Sequence, residues 1–159
     1  MALIFTGQFT AVLYGAAGGF PDATVSAAIK GGKAFFAGGN AGVSTATQSR
    51  AVPSGWSGSV KGGQVKAVLS ADLGGFASQA DHAVVTAVFL DKSGHSIASF
   101  KIGPVSTAAR KSQTTLLLRT ATRRVPSATR KIKVVVTSTR VDGTYNDGYA
   151  DNVSLALKR

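Results

Sequence analysis

The stretch HAVVTAVFLD, residues 82–91, decides the fold. Val85, Ala87 and Phe89 point one way, and the largely apolar residues between them point the other way. A period of two predicts a β-strand, and apolar residues on both faces indicate a strand in the interior of a sheet. The following loop, LDKSGHS (90–96), is short and contains a glycine, so it predicts a hairpin.

The same alternation recurs in four further segments, whereas helical periodicity does not recur. The segments are KAVLSADL (66–73), ASFKIG (98–103), RKIKVVVTSTR (130–140) and YADNVSLALK (149–158). Turns that contain glycine or proline separate them. We expect about eight or nine strands at a spacing of about ten residues, which indicates an antiparallel all-β sandwich or barrel.

The length of 159 residues is that of one domain, and no linker or internal repeat divides the chain. We therefore expect a single domain over residues 1–159. The predicted core consists of the apolar faces of the strands, namely Val65, Leu69, Val85, Phe89, Phe100, Ile102, Leu117, Val134, Val136, Val153 and Leu155.

The charge of the chain is strongly positive, with 18 lysines and arginines against seven acidic residues and a net charge of +11. Every acidic residue is an aspartate, and eight basic residues with no acidic one lie between Arg110 and Lys133. Such a field attracts polyanions, although the same residues are also typical of a solvated face. There is no cysteine, which excludes disulfides and thiolate metal sites.

Four segments of the chain resemble successive landmarks of one family. They are GGKAFFAGG (31–39), VKAVLSADLGGFASQADHAVVTAVFLDKSG (65–94), IGPV (102–105) and DGTYNDGYADNVSLAL (142–157). The family is the bacterial galactose-binding-like modules, which are related to carbohydrate-binding modules and to the F-box-associated sugar-binding domain. The resemblance runs from about Gly19 to Leu157 and implies a jelly-roll β-sandwich that is extracellular or on the cell surface. Such modules begin with an Asn-Pro-Gly-Ala-Glu-like strand, and here MALIFTGQFT (1–10), which has no signal-peptide pattern, stands in its place.

The aspartates of residues 142–151 raise the question of a metal. They do not form an EF-hand, because the spacing fails and the chain has no glutamate to close the loop. In the modules that the chain resembles, the carboxylate of a terminal Asp-Asn-Val strand joins an N-terminal glutamate around a structural calcium ion. The resemblance therefore implies a calcium site at Asp151, without that glutamate. The other interpretation is that Asp151 caps backbone amides at the start of a strand.

Sugar binding requires an aromatic platform beside hydrogen-bonding side chains. Residues of these types cluster near the C-terminus and in a glycine-serine loop, and basic residues could hold an acidic glycan. The predicted ligand-binding residues are Trp56, Tyr145, Asn146, Asp147, Tyr149, Arg119 and Arg123. The alternative is structural: a lone tryptophan covers the core, and Tyr149 is half-buried on its strand.

Recognisable catalytic motifs are absent from the sequence. No carboxylate pair, metal-binding histidine spacing or nucleophile elbow occurs, so we expect no enzyme activity. The basic stretch lacks the interleaved aromatic residues that stack on nucleic acid, and no apolar run is long enough to enter a membrane. We predict a non-catalytic carbohydrate-binding module, with an anionic glycan as its ligand class. The alternative is an assembly module that mediates protein–protein contact or homo-oligomerisation without binding sugar.

Overall fold

Over residues 3–159, which the computed structural model describes, the chain forms ten strands in two sheets. The strands are β1 (Ile4–Thr6), β2 (Thr10–Leu13), β3 (Ala34–Ala37), β4 (Val43–Ala51), β5 (Lys66–Gly75), β6 (His82–Leu90), β7 (Ser96–Ile102), β8 (Thr115–Arg124), β9 (Lys131–Thr139) and β10 (Tyr149–Lys158). The front sheet has the order β1-β4-β9-β6-β7, and the back sheet has the order β2-β3-β10-β5-β8. All pairs are antiparallel, which confirms the predicted all-β sandwich.

The β6–β7 hairpin has the geometry that the sequence predicts. β6 pairs with β7 on one side and with β9 on the other, so it is an interior strand. The Asp91 backbone N donates to the His95 carbonyl oxygen at 2.9 Å. Asp91 Oδ1 accepts from the backbone N of Ser93 and of His95, which fixes the turn.

The divergent N-terminal segment forms two short strands instead of one long strand. β1 is an edge strand of the front sheet, paired with β4, and β2 is an edge strand of the back sheet, paired with β3. Residues 7–9 therefore carry the chain from one sheet to the other. Met1 and Ala2, which belong to the segment MALIFTGQFT, lie outside the described residues.

Two short helices complete the fold, α1 (Ala23–Ile29) and α2 (Ser57–Lys61), the second preceded by a 3-10 turn (Ser54–Trp56). Asp22 caps α1, because its Oδ1 accepts from the backbone N of Thr24 at 2.9 Å and of Val25 at 3.0 Å. Neither helix of the described chain has the length and the apolar character that crossing a membrane requires.

Two apolar clusters stabilise the sandwich. The main cluster lies between the sheets and contains most of the predicted core, with Leu117, Val134 and Leu155 only partly buried. The second cluster lies on the outer face of the back sheet, beside α1 and the segment before it, and is built around Val12, Phe35, Leu116 and Tyr149. The sequence did not predict this second cluster.

Val153 is a correction to the predicted core, since 36% of its surface is exposed. Asp151 pairs with Asp72 and Ser154 with Ser70, so two residues of β10 oppose one residue of β5 in a β-bulge. Asn152 adopts the left-handed conformation with φ of 49°, which asparagine tolerates better than most residues. Val153 lines a cleft between the sheets that other side chains do not fill, which leaves it exposed. The extra residue instead shifts the residues before it, so that Tyr149 lies on the outer face of the sheet and Leu155 on the inner face.

Asn146 ties together the loops at one end of the sandwich. Its side chain is fully buried, and Nδ2 donates to the carbonyl oxygens of Ala41, Gly42 and Ser138. Its Oδ1 accepts from the backbone N of Gly148 at 3.2 Å. The amide therefore joins the turn between β3 and β4 to β9 and to the loop before β10.

Arg110, the first residue of the basic stretch, is a buried structural residue rather than part of a solvated face. Only 2% of its surface is exposed, and its guanidinium donates to the carbonyl oxygens of Gly75, Ala77, Gln79 and Gln113. Burial lowers the pKa of this guanidinium below its ordinary value. The side chain holds neighbouring loops together through their backbones.

We expect Asn146→Ala to lower the free energy of unfolding by about 2–3 kcal/mol, because it removes the buried hydrogen bonds to the Ser138 carbonyl oxygen and from the Gly148 backbone N. Urea unfolding followed by circular dichroism measures the change. Asn40→Ala is the matched control, since the Asn40 side chain is exposed. Equal stability of the two variants would contradict the role assigned to Asn146.

Candidate binding cleft

A cleft of about 640 Å³ lies between the two sheets, beside β10. Ala46 of β4 and Val134 of β9 line its front wall, and Leu155 and Leu157 of β10 line its back wall. These side chains are the inward-facing residues of their strands, as the register shows. The cleft is thus a part of the sandwich interior that the core side chains do not fill; we call it the inter-sheet cleft.

Aromatic rings stand at both ends of the inter-sheet cleft. Phe36, near the start of β10, packs against Phe9 with ring centroids 5.3 Å apart. Trp56, near the end of β10, is half-buried against the main core cluster. The guanidinium carbon of Arg159 lies 4.3 Å from the centroid of the Trp56 ring, and its Nη2 donates to the Gly55 carbonyl oxygen at 3.1 Å. The C–H faces of sugars pack on such rings.

Polar groups line the same cleft. Gln48 and Arg50 project from the inward face of β4, and both are exposed. Asp151 and Asn152 reach the cleft from the bulge of β10. Side chains that donate and accept hydrogen bonds therefore stand within the same volume as the rings, an arrangement typical of ligand sites.

One edge of β10 is open along the cleft. β3 is four residues long and pairs with β10 only at Ala150, opposite Phe36. From Ser154 to Lys158, β10 pairs with β5 on one side, and none of the described strands lies on the other side. Backbone N–H and C=O groups on this edge are free for a ligand or an added strand.

Three of the predicted ligand residues are buried in the loop end of the sandwich. Asn146 and Tyr149 have no exposed surface, and Asp147 has only 8%. The Tyr149 hydroxyl donates to Asp147 Oδ1 at 2.6 Å, and the Asp147 backbone N donates to Asp81 Oδ2 at 2.9 Å. In this conformation these side chains hold the loop that precedes β10 and do not face solvent.

The four remaining predicted ligand residues do not line one cleft. Tyr145 is half-buried, with its ring edge-on to Phe20 at 5.5 Å, at the end of the sandwich opposite Trp56. Arg119 and Arg123 lie on β8, which is separated from the β10 side of the cleft by β5. Trp56 alone among the predicted ligand residues lines the inter-sheet cleft.

Asp151, the residue of the predicted calcium site, is engaged by protein donors. Its Oδ2 accepts from the Tyr14 hydroxyl at 2.6 Å, and its Oδ1 accepts from the Asn152 backbone N at 2.7 Å. Burial and the hydrogen bond to Asp151 raise the pKa of Tyr14, so the hydroxyl remains a donor. Over residues 3–159 no three histidine or carboxylate side chains are placed to share a metal ion. The calcium site stays a prediction.

Sequence reasoning missed Phe36, Gln48, Arg50 and Asn152 as cleft residues. A signal for two of them exists in VSTATQSRA (43–51), where Ala46, Gln48 and Arg50 alternate with residues of the other face. A strand whose inward positions turn from small to polar indicates a core that opens towards one end.

We expect Asp147 to make the stability of the protein depend on pH. Burial raises the pKa of the Asp147 carboxyl above its ordinary value of 3.8, against the opposing hydrogen bond from Tyr149. The protonated form is thus favoured by folding, and the contribution of Asp147 to the free energy of unfolding declines as the pH rises from the unfolded pKa through the folded pKa. Asp147→Asn should remove this decline, so the variant should gain stability relative to the wild type over that window.

Urea unfolding between about pH 3 and pH 7 measures the difference in stability, and a carboxyl carbon NMR titration gives the pKa directly. A titration midpoint at or below 3.8 would refute the direction of the shift.

Solved structures with the same architecture share little sequence with the chain. No protein-family model matches it, and no curated protein sequence does so. A family 16 carbohydrate-binding module is similar at a TM-score of 0.55 and 16% identity, over 93% of this chain and 84% of that one. A family 61 module in complex with beta-1,4-galactotriose has a TM-score of 0.53 and 15% identity, over 99% of this chain and 88% of that one.

Two larger proteins contain a similar unit. The chain covers 26% of a Clostridium thermocellum xylanase fragment with a family 22 module, complexed with xylohexaose, at a TM-score of 0.56 and 14% identity. It covers 19% of the enzymatically active domain of tailspike protein 4 of bacteriophage CBA120, at a TM-score of 0.55 and 15% identity. At such identities the likeness concerns the fold alone, and it confirms the predicted β-sandwich: the chain has the same two-sheet architecture as these carbohydrate-binding modules.

Proposed function

We propose that this chain is a non-catalytic carbohydrate-binding module and that the inter-sheet cleft is its ligand site. The observation that carries the proposal is the combination of aromatic rings, Gln48, Arg50 and an open backbone edge around one volume. The volume of the inter-sheet cleft falls within the range of about 300–1,000 Å³ that is typical of small-ligand sites. The fold shared with carbohydrate-binding modules supports the same function, without fixing it.

We further propose that the ligand is an anionic glycan and that the protein is located outside the cell or on the cell surface. Arg50 lies in the cleft, and Asp151, the acidic residue of the lining, already accepts two hydrogen bonds. The net charge of +11 favours acidic ligands over long distances. Glycoside hydrolysis generally uses a pair of carboxylates, and a lining with one of them suits binding without catalysis.

We expect Gln48→Ala to weaken the binding of a cleft oligosaccharide about three- to tenfold, the value of one hydrogen bond. Trp56→Ala should weaken it about tenfold or more, because it removes a ring face. A glycan array identifies the ligand, and calorimetry measures each affinity. Thr47→Ala is the matched control, since Thr47 lies beside Gln48 on the opposite face of β4.

If Thr47→Ala and Gln48→Ala weaken binding equally, the cleft is not the site. Circular dichroism of Trp56→Ala shows whether that variant keeps its fold. A saturable ligand whose affinity is unchanged in both cleft variants would also rule out the proposed site.

The open edge of β10 favours a second candidate, the assembly module. An extended peptide that pairs with residues Ser154 to Lys158 would add a strand to the back sheet and place alternate side chains in the cleft. A second copy of the chain could supply that strand. This candidate predicts a blank glycan array together with a stable oligomer in light scattering. A monomer over the micromolar range would exclude association between copies of the chain.

A further inference from the structure

The positive charge of the molecule is concentrated at one end of the sandwich. At this end β4, β6, β8 and β10 finish and β5, β7 and β9 begin, and Arg159 contacts the turn that follows β4. We call it the basic end. Eleven of the 18 lysines and arginines lie there, with one of the seven aspartates, Asp91. The eleven are Arg50, Lys61, Lys66, Lys92, Arg123, Arg124, Arg130, Lys131, Lys133, Lys158 and Arg159.

Acidic side chains do not neutralise the basic end. Among residues 3–159 the ion pair that forms is His95 with Asp91, and it involves no lysine or arginine. Asp91 itself accepts hydrogen bonds from the backbone of its own hairpin. The other six aspartates lie away from the basic end. One caps α1, three lie in the loops at the opposite end of the sandwich, and two lie on strands in the half nearer to that opposite end. The field at the basic end is therefore uncompensated within the described part of the chain.

The centre of the basic end is a row of three cations on the outer face of the back sheet. Lys158 of β10 pairs with Lys66 of β5, and Lys66 pairs with Arg124 of β8. Adjacent strands lie about 4.8 Å apart, so the three side chains start within about 10 Å of one another. Like charges placed directly opposite each other destabilise a sheet, and all three side chains are exposed. We call these residues the cation row.

The surface beside the cation row leaves room for a ligand. The next outward-facing row of the same three strands consists of small side chains, Ala156, Val68 and Thr122. Trp56 and Arg50, which line the inter-sheet cleft, also belong to the basic end. A polymer could therefore contact the cleft and the cations together.

We propose that the basic end docks a polyuronate, a polysaccharide with one carboxylate on each sugar ring, and that the cation row is its central contact. The inference rests on the proposed function, in that the polymer is a glycan whose sugars also reach the cleft. Carboxylates repeated along a chain match cations repeated from strand to strand, and each contact releases counterions. Desolvation is small, because the cations remain at the surface.

Nucleic acid and membranes fit this end less well. Binding single-stranded nucleic acid uses several exposed rings of phenylalanine, tyrosine or tryptophan that stack on successive bases, and among the described residues Trp56 is the one partly exposed ring of these types at the basic end. Insertion into a membrane surface uses a cluster of large apolar side chains, and most of those exposed in the described chain lie away from the basic end. The polyuronate is thus the polyanion that the surroundings favour.

The test compares polygalacturonate with its methyl-esterified form, which has the same backbone without the charge. Binding of the full chain is measured by biolayer interferometry at about 50 mM and about 200 mM NaCl. The triple variant Lys66→Gln, Arg124→Gln, Lys158→Gln should bind polygalacturonate about tenfold or more weakly and should lose part of the salt dependence. The control variant Lys33→Gln, Lys101→Gln, Lys111→Gln removes the same charge away from the basic end and should stay within about twofold.

Equal losses in the two triple variants would overturn the proposal, because net charge alone would then explain binding. Equal affinity for duplex DNA, or for the esterified polymer, would also overturn it. If Gln48→Ala weakens polygalacturonate binding and the cation-row variant does not, docking at the basic end is refuted and binding in the inter-sheet cleft is supported. If the cation-row variant weakens polygalacturonate binding and Gln48→Ala does not, docking at the basic end is supported and binding in the inter-sheet cleft is refuted.

Discussion

The bulge between Asp151 and Ser154 divides β10 into two halves with different surroundings, and much of the molecule depends on that division. Before the bulge, β10 pairs with strands on both sides and its Tyr149 is sealed in the second apolar cluster. At the bulge, Asn152 Nδ2 donates to Asp72 Oδ2 and to the Ile29 carbonyl oxygen, which ties α1 to the sheet. Beyond the bulge one edge of β10 is open, and the inter-sheet cleft lies beside it.

The sequence predicts those features that depend on local alternation and misses those that depend on contacts between distant segments. The interior position of β6 and its hairpin follow from a period of two and from turn chemistry, both of which are local. Val153 is exposed because it lines the cleft beside the open edge of β10, and that opening depends on how little of β10 pairs with the distant strand β3. Asn146 has the side chain of a ligand residue, but it donates to backbone carbonyl groups that only the folded chain brings near, and Tyr149 is buried in a cluster with residues such as Val12 and Phe35 from distant strands.

The candidate site could be predicted only in part, for a related reason. Trp56 is recognisable because a tryptophan in a glycine-serine loop is unusual. Gln48 and Arg50 become neighbours of Leu155 through the stacking of two sheets, which no spacing in the sequence records. The solved structures with this architecture differ from the chain at most of their positions, so the shared scaffold leaves the chemistry of the cleft to its own side chains.

The open edge of β10 also has a consequence for how the protein behaves at high concentration. Unpaired strand edges are where sheets of different molecules join, and charged side chains beside an edge keep them apart. Lys158, Arg159 and Arg50 place like charge at one end of this edge, so contact between two copies edge to edge is weaker at low salt. These cations of the basic end thus reduce aggregation through electrostatic repulsion, and salt, which screens the repulsion, increases the tendency to aggregate.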